Sequence, residues 1–255
     1  MTNPQLDSFE TIDVVCTEAP IPDEIVSAVT KTSRKSTQKP TPRPRNHTPT
    51  RLSWCLRMAY YWMMNFPMEQ LDSEDFSSAF NLFRGNALHD AFAKIYPWHE
   101  LPLKAPIPIG SGKSVTVSGR LDLYRPSDAT ILDLKTSKYV AWQKKSGFLP
   151  RLKDIQQLQI YSVMYGPVLP VKKLQLIYAD MADVICYDVP VAPNAESWLI
   201  QRLQIVESSI VTSVAPSGEV SKMCDFCPFQ TRCKGELGGI TTLPKSHPIE
   251  EIKNE

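Results

Sequence analysis

The stretch Val115–Tyr139, VTVSGRLDLYRPSDATILDLKTSKY, contains two segments rich in β-branched and apolar residues on either side of the pair Ser127–Asp128. Such segments around a short polar turn predict an antiparallel β-hairpin. A two-residue turn fixes the register of the hairpin, and counting outward along the ladder places Asp122 opposite Asp133. We therefore expect two carboxylates to face each other across neighbouring strands.

Side chains alternate along a strand, so Lys135 is expected on the same face as Asp133. The opposite face is expected to carry four leucines: Leu121, Leu123, Leu132 and Leu134. Opposed carboxylates destabilise a ladder unless solvent or a cation lies between them, and a divalent metal would serve. Taken alone, however, the hairpin is better explained by a polar face that simply meets water.

Helical and strand patterns surround the hairpin. Apolar residues recur at helical spacing in SSAFNLFRGNALHDAFAKIY before the hairpin and in DIQQLQIYSVMYG after it, and a long helix is predicted from about residue 194 to residue 214. KKLQLIYAD and DVICYDVPV predict a second strand pair. Helices before and after a set of strands predict an α/β domain with a mixed sheet.

The charges are segregated although the net charge of the 255-residue chain is only +1. Six acids and no bases lie between Asp7 and Glu24, whereas the charged residues from Lys31 to Arg57 are all basic. Residues 31–50 offer little to bury, so we expect 1–50 to be a flexible tail, 51–240 the folded domain and 241–255 a polar tail. A solvated linker is favoured over a DNA-contacting arm for the basic half.

The start of the chain lacks the pattern of a signal peptide, and no window approaches the roughly 18 apolar residues of a membrane helix. We therefore expect a cytoplasmic protein. Six cysteines in such a protein are poor candidates for disulfides, because the cytosol keeps thiols reduced. Three of them, Cys224, Cys227 and Cys233, have the compact spacing C-x2-C-x5-C, which suits metal ligation and calls for a fourth ligand.

The sequence of the hairpin and its flanking segments also resembles the motifs of a known protein superfamily. The strings Gly119–Asp122 and Asp133–Lys135 resemble the GxxD and DxK motifs of the PD-(D/E)XK nucleases. Upstream, GNALHD with His89 resembles the motif-I histidine of the RecB-like branch of that superfamily, and downstream Gln157 and Tyr161 resemble its QxxxY motif. Each motif alone is weak, but four in the expected order are specific.

This resemblance implies a restriction-endonuclease-like fold, a mixed sheet flanked by helices. It also implies that His89, Asp122, Asp133 and the backbone carbonyl of Leu134 bind Mg²⁺ or Mn²⁺, and that Asp122, Asp133 and Lys135 are catalytic. Hydrolysis of a phosphodiester needs a Lewis acid and an activated water, which an oxygen-rich metal site supplies. Lys135 would orient that water or stabilise the transition state.

The segment SWCLRMAYY around Cys55 resembles the first cysteine motif of RecB-like nucleases that hold a [4Fe–4S] cluster. Those nucleases have one cysteine before the nuclease motifs and three after them, as here, so the resemblance implies that Cys55 and the three C-terminal cysteines bind the cluster and join the two ends of the domain. Spacing alone leaves zinc open, since four cysteines also bind Zn²⁺. Cys16 and Cys186 are interpreted as non-ligands.

The segment from Lys135 to Lys153 contains no acid and mixes basic with aromatic residues. This composition suits single-stranded DNA, although a solvated loop anchored by aromatics is an alternative. Gln157 and Tyr161, four residues apart on a helix, are expected to present an amide and a ring to the strand. The other candidate DNA-binding residues are Lys138, Trp142, Lys144 and Lys145.

Among iron–sulfur RecB-like nucleases, the chain most resembles the CRISPR-associated exonuclease family. The resemblance implies exonucleolytic cutting of single-stranded DNA, with 5′ to 3′ polarity, and CRISPR integrase proteins as partners. A DNA-repair or viral nuclease is the alternative within the same class. A DNA-binding module that does not cut, and a zinc-binding interaction protein, are alternatives from other classes; intact Asp122, Asp133 and Lys135 argue against the former.

Overall fold

The computed structural model describes residues 14–20, 22–24, 46–68 and 76–236, without the side chains of residues 76–83, 222 and 223. The predicted C-terminal tail and most of the predicted N-terminal tail lie outside these residues. Within the described part, no helix is long and apolar enough to cross a membrane.

Six strands form one mixed sheet in the order β1-β6-β5-β4-β3-β2. Strands β4 and β5 are parallel, and every other neighbouring pair is antiparallel. The strands are β1 (Thr17–Ala19), β2 (Trp98–Gly110), β3 (Lys113–Arg125), β4 (Thr130–Thr136), β5 (Lys173–Ala179) and β6 (Val184–Val189). The predicted α/β class with a mixed sheet is confirmed.

Helices cover both faces of this sheet. They are α1 (Pro49–Leu52), α2 (Leu56–Met63), α3 (Phe76–Ala93), α4 (Val140–Lys145), α5 (Leu152–Tyr165), α6 (Ala195–Thr212) and α7 (Gln230–Glu236), with a 3-10 turn at Lys222–Phe226. The larger apolar core lies between the sheet and helices α5 and α6, where Leu158 and Leu199 are fully buried. A smaller core with Phe92 of α3 lies on the other face.

The central hairpin has the predicted register. Arg125 pairs with Thr130 and Leu123 with Leu132, although the turn spans the four residues 126–129. The predicted face of Leu121 needs correction, because Leu121 packs in the larger core whereas Leu123 packs in the smaller one. The reason is that the β3–β4 ladder ends at Leu123, so the regular alternation of side chains is interrupted beside Asp122.

Two short pieces of the segment predicted to be a tail pack against the domain. Thr17–Ala19 adds a strand to the edge of the sheet beside β6, and His47 forms a bridge with Val117 of β3. An edge strand has backbone N–H and C=O groups without a hydrogen-bond partner. A nearby segment can form hydrogen bonds with these groups whatever its own composition. The side chain of His47 is buried and lies 2.7 Å from Glu207 Oε1.

Candidate active site and cysteine cavity

The Asp133 carboxylate is fully buried in β4. Its Oδ2 lies 2.5 Å from Lys135 Nζ, yet it has no hydrogen-bond donor in acceptable geometry among the described residues. Burial raises the pKa of Asp133, the Lys135 ammonium opposes this rise, and the charge of Asp122 adds to it. A buried carboxylate whose pKa stays raised despite a neighbouring ammonium is suited to bind a further cation.

The Lys135 ammonium lies between carboxylates and an amide. Nζ donates to Gln157 Oε1 at 3.2 Å and is close to Asp133. Burial by itself would lower the pKa of Lys135, but the surrounding carboxylates, Asp133 first, outweigh burial and raise it. Lys135 therefore keeps its proton at neutral pH, which suits stabilisation of negative charge better than general-base catalysis.

Three potential metal ligands converge beside this pair. His89 of α3, Glu100 of β2 and Asp122 of β3 each offer an atom within 4.8 Å of the other two, and His89 Nδ1 lies 3.8 Å from Asp122 Oδ2. The same Asp122 oxygen accepts a hydrogen bond of 3.0 Å from the Leu134 amide, which ties the group to β4. Carboxylate oxygens with an imidazole fit Mg²⁺ or Mn²⁺.

Glu100 was not identified from the sequence. The register of β2 and β3, with His99 opposite Leu123 and Leu101 opposite Leu121, places Glu100 level with Asp122. Glu100 also has a positive φ of 51°, a backbone conformation that is uncommon for this residue type and is found at functional sites. Only the pairing register, which the sequence does not reveal for so long a hairpin, could have identified it.

Gln157 and Tyr161, predicted to contact DNA, are buried in the DNA-free protein. Gln157 Nε2 lies 3.5 Å from Asp133 Oδ1 and 3.4 Å from Tyr161 Oη, and Tyr161 Oη donates to the carbonyl of Arg120 at 2.9 Å. The apolar face of α5 packs on the sheet and carries both side chains inward. In this geometry they hold Lys135, Asp133 and the Gly119–Asp122 part of β3 in place.

The basic aromatic segment after β4 is exposed. Trp142 is 59% exposed and its ring lies 5.5 Å from that of Phe148, centroid to centroid. Lys138 and Lys145 also face solvent, whereas Lys144 forms an ion pair of 2.6 Å with Glu18 of β1. The segment starts directly after β4, the strand that carries Asp133 and Lys135.

Four cysteines line a single cavity of about 260 Å³. They are Cys55, Cys224, Cys227 and Cys233. Burial raises the pKa of Cys227 to about 11, and the charges of the other three thiols add to the rise. Cys186, expected not to be a ligand, is instead buried in the smaller core.

Buried ion pairs hold the walls of this cavity. Arg202 binds both carboxylate oxygens of Glu219 at 2.7 and 2.9 Å, and Glu219 also accepts from the Leu56 amide at the start of α2, 2.7 Å away. Arg57 donates to the carbonyl of Pro216 at 2.7 Å. The segment around Cys55 is thereby fixed to the segment that precedes the other three cysteines.

Comparison with known proteins agrees with this geometry. The crystal structure of SSO0001 is similar in fold, with a TM-score of 0.54 and 17% sequence identity over 83% of this chain and 94% of that one. No curated protein matches the chain. The family model described as PD-(D/E)XK nuclease superfamily matches residues 70–234, which include His89, Asp122, Asp133 and Lys135. The chain therefore belongs to the PD-(D/E)XK nuclease superfamily.

Proposed function

We propose that the protein is a Mg²⁺- or Mn²⁺-dependent exonuclease that degrades single-stranded DNA from its ends, with 5′ to 3′ polarity. The observation that carries the proposal is the buried Asp133 carboxylate beside Lys135 and the His89–Glu100–Asp122 group. The metal would polarise the phosphate and lower the pKa of the attacking water. In this proposal Asp133 and the Leu134 carbonyl complete the metal site.

In this proposal, other side chains hold the metal, stabilise the transition state and bind the DNA strand. Asp122 and His89 would hold the cation, and Asp122 is itself held by the Leu134 amide. Lys135, kept protonated by its carboxylate neighbours, stabilises the charge that develops on the phosphate, and Gln157 holds the ammonium in position. Trp142 and the lysines around it supply stacking and phosphate contacts to a flexible strand.

We further propose that the cysteine cavity holds a [4Fe–4S] cluster. All four cysteines line this one cavity, and the resemblance of the Cys55 segment to iron–sulfur nucleases supports a cluster over zinc, which four thiolates also bind. Iron and zinc content of protein purified without oxygen tests this point, and stoichiometric zinc without iron would reject the cluster. By its resemblance to the CRISPR-associated exonucleases, the protein would prepare DNA ends for spacer acquisition with CRISPR integrase proteins.

The decisive experiment compares a linear single strand with a closed single-stranded circle of the same sequence, at matched salt and Mn²⁺. An exonuclease needs a free end, so the linear strand should shorten progressively while the circle survives. Labels at either end of the linear strand report the polarity.

Asp122→Asn, Asp133→Asn and Lys135→Met should each abolish cutting, because each removes a group from the metal site or the transition-state contact, and should still bind DNA. Equal loss of circle and linear strand would indicate an endonuclease, and unchanged cutting by all three variants would place the active site elsewhere.

A further inference from the structure

Lys153 lies near the start of helix α5, the helix that also carries Gln157 and Tyr161. It lies on α5 four residues before Gln157 and eight before Tyr161, and this spacing places all three on one face of the helix. Gln157 contacts Lys135 and Asp133. Lys153 is therefore one helical turn from the residues that meet the scissile phosphate.

The charge of Lys153 is poorly compensated. The one carboxylate within ion-pair distance in the described part of the chain is Asp154, at 3.9 Å. Arg151 Nε and Tyr178 Oη each donate to Asp154 Oδ2 at 2.8 Å, so Lys153, which lies near Oδ1, shares this carboxylate with two other donors. Burial lowers the pKa of Lys153; the charges of Asp154 and Asp133 oppose this lowering, and those of Arg151 and Lys135 add to it.

The Lys153 side chain is nevertheless held in place. Its Nζ lies 5.0 Å from the centre of the Trp54 ring, a cation–π contact, and 27% of the side chain is exposed. Trp54 directly precedes Cys55 and lines the cysteine cavity. A residue of the cavity wall thus holds a partly exposed ammonium on the helix face that also carries Gln157 and Tyr161.

We propose that Lys153 binds a backbone phosphate of the DNA strand next to the scissile phosphate, and that Trp54 positions it. The inference rests on the proposed function and adds a substrate subsite to it. A phosphate oxygen would supply the anion that Asp154 does not, and an ammonium suits this role as a compact point charge. Because Trp54 belongs to the segment of Cys55, this subsite depends on an intact cysteine site.

The test measures binding of a fluorescent single-stranded oligothymidylate by anisotropy in EDTA, where no metal supports cutting. Lys153→Met should weaken binding roughly tenfold and reduce the slope of log affinity against log salt by about 0.7, the value for one phosphate contact on a single strand. Lys153→Arg should retain most of the affinity. Lys113→Met, an exposed lysine at the far end of β3, is the matched control and should bind like the wild type.

Turnover adds a second readout. Lys153→Met should raise KM more than it lowers kcat, and Trp54→Leu should shift KM in the same direction with an unchanged metal content. A Lys153→Met protein with the affinity and salt slope of Lys113→Met overturns the proposal. Lys153→Gln, which keeps a polar side chain but removes the charge, repeats the test if the methionine variant fails to fold. Wild-type protein that binds the strand without cutting any DNA would reject the exonuclease function and leave the phosphate subsite standing.

Discussion

At the scale of a single residue, Glu100 is a candidate metal ligand because of its position on strand β2. Its carboxylate forms an ion pair with Arg120 and lies within 4.8 Å of ligand atoms of His89 and Asp122. Burial raises the pKa of Glu100, and the Arg120 guanidinium partly offsets this rise. A side chain that is half-buried between an arginine and two potential ligands can exchange the arginine for a metal ion.

Glu100→Gln should therefore weaken Mn²⁺ binding roughly tenfold, because it removes a charged oxygen ligand and leaves the amide in its place. Isothermal titration of the metal into the DNA-free protein measures this change. Glu196→Gln, an exposed glutamate in the first turn of α6, is the control and should bind Mn²⁺ like the wild type. If Glu100→Gln also binds like the wild type, Glu100 serves only to hold Arg120.

At the scale of an element, the segment from the 3-10 turn through helix α7 carries three of the four cavity cysteines, and the protonation of their thiols affects metal binding. A raised pKa means fewer thiolates at neutral pH, and a metal or cluster must release those protons to bind. In metal-free protein we expect iodoacetamide to alkylate Cys227 slowly at pH 7 and faster with each pH unit up to about 11.

Mass spectrometry of the Cys227 peptide gives this rate, and the same peptide in urea is the control. In urea the rate should level off near the ordinary thiol pKa of about 8.5. A folded protein that levels off at the same pH would show that burial does not raise the pKa of this thiol.

At the scale of the whole molecule, the cysteine cavity brings Cys55, before the sheet, next to cysteines that follow α6. A group bound by all four would cross-link residues far apart in the chain. Cys55→Ala should then reduce the free energy of unfolding by about 3 to 5 kcal/mol, as expected for a cross-link that closes a long loop. Urea denaturation under nitrogen measures the loss.

Cys16→Ala is the matched control, since Cys16 does not line the cavity, and it should unfold near the wild-type midpoint. If the two variants unfold at the same urea concentration, the cavity contributes nothing to stability and the proposed cluster is not structural.

Local patterns in the sequence determined the hairpin and its residues. Alternation around one turn predicts the register that aligns Asp122 with Asp133, because a short turn leaves the ladder few alternatives. The resemblance of four ordered motifs indicated the nuclease superfamily, and the family match includes the same residues. Helical spacing also placed Gln157 and Tyr161 on one face, although it did not show which way that face points.

Only the tertiary structure decided which residues these side chains contact. Gln157 turns inward to Lys135 because α5 packs on the sheet, Glu100 reaches Asp122 through the register of a long hairpin, and Lys153 is held by Trp54 from a distant segment. Such contacts join residues far apart in the chain, and no local periodicity encodes them. Thr17–Ala19 likewise becomes a strand because the edge of β6 offers free backbone groups, which depends on how the sheet is assembled and not on the composition of the segment.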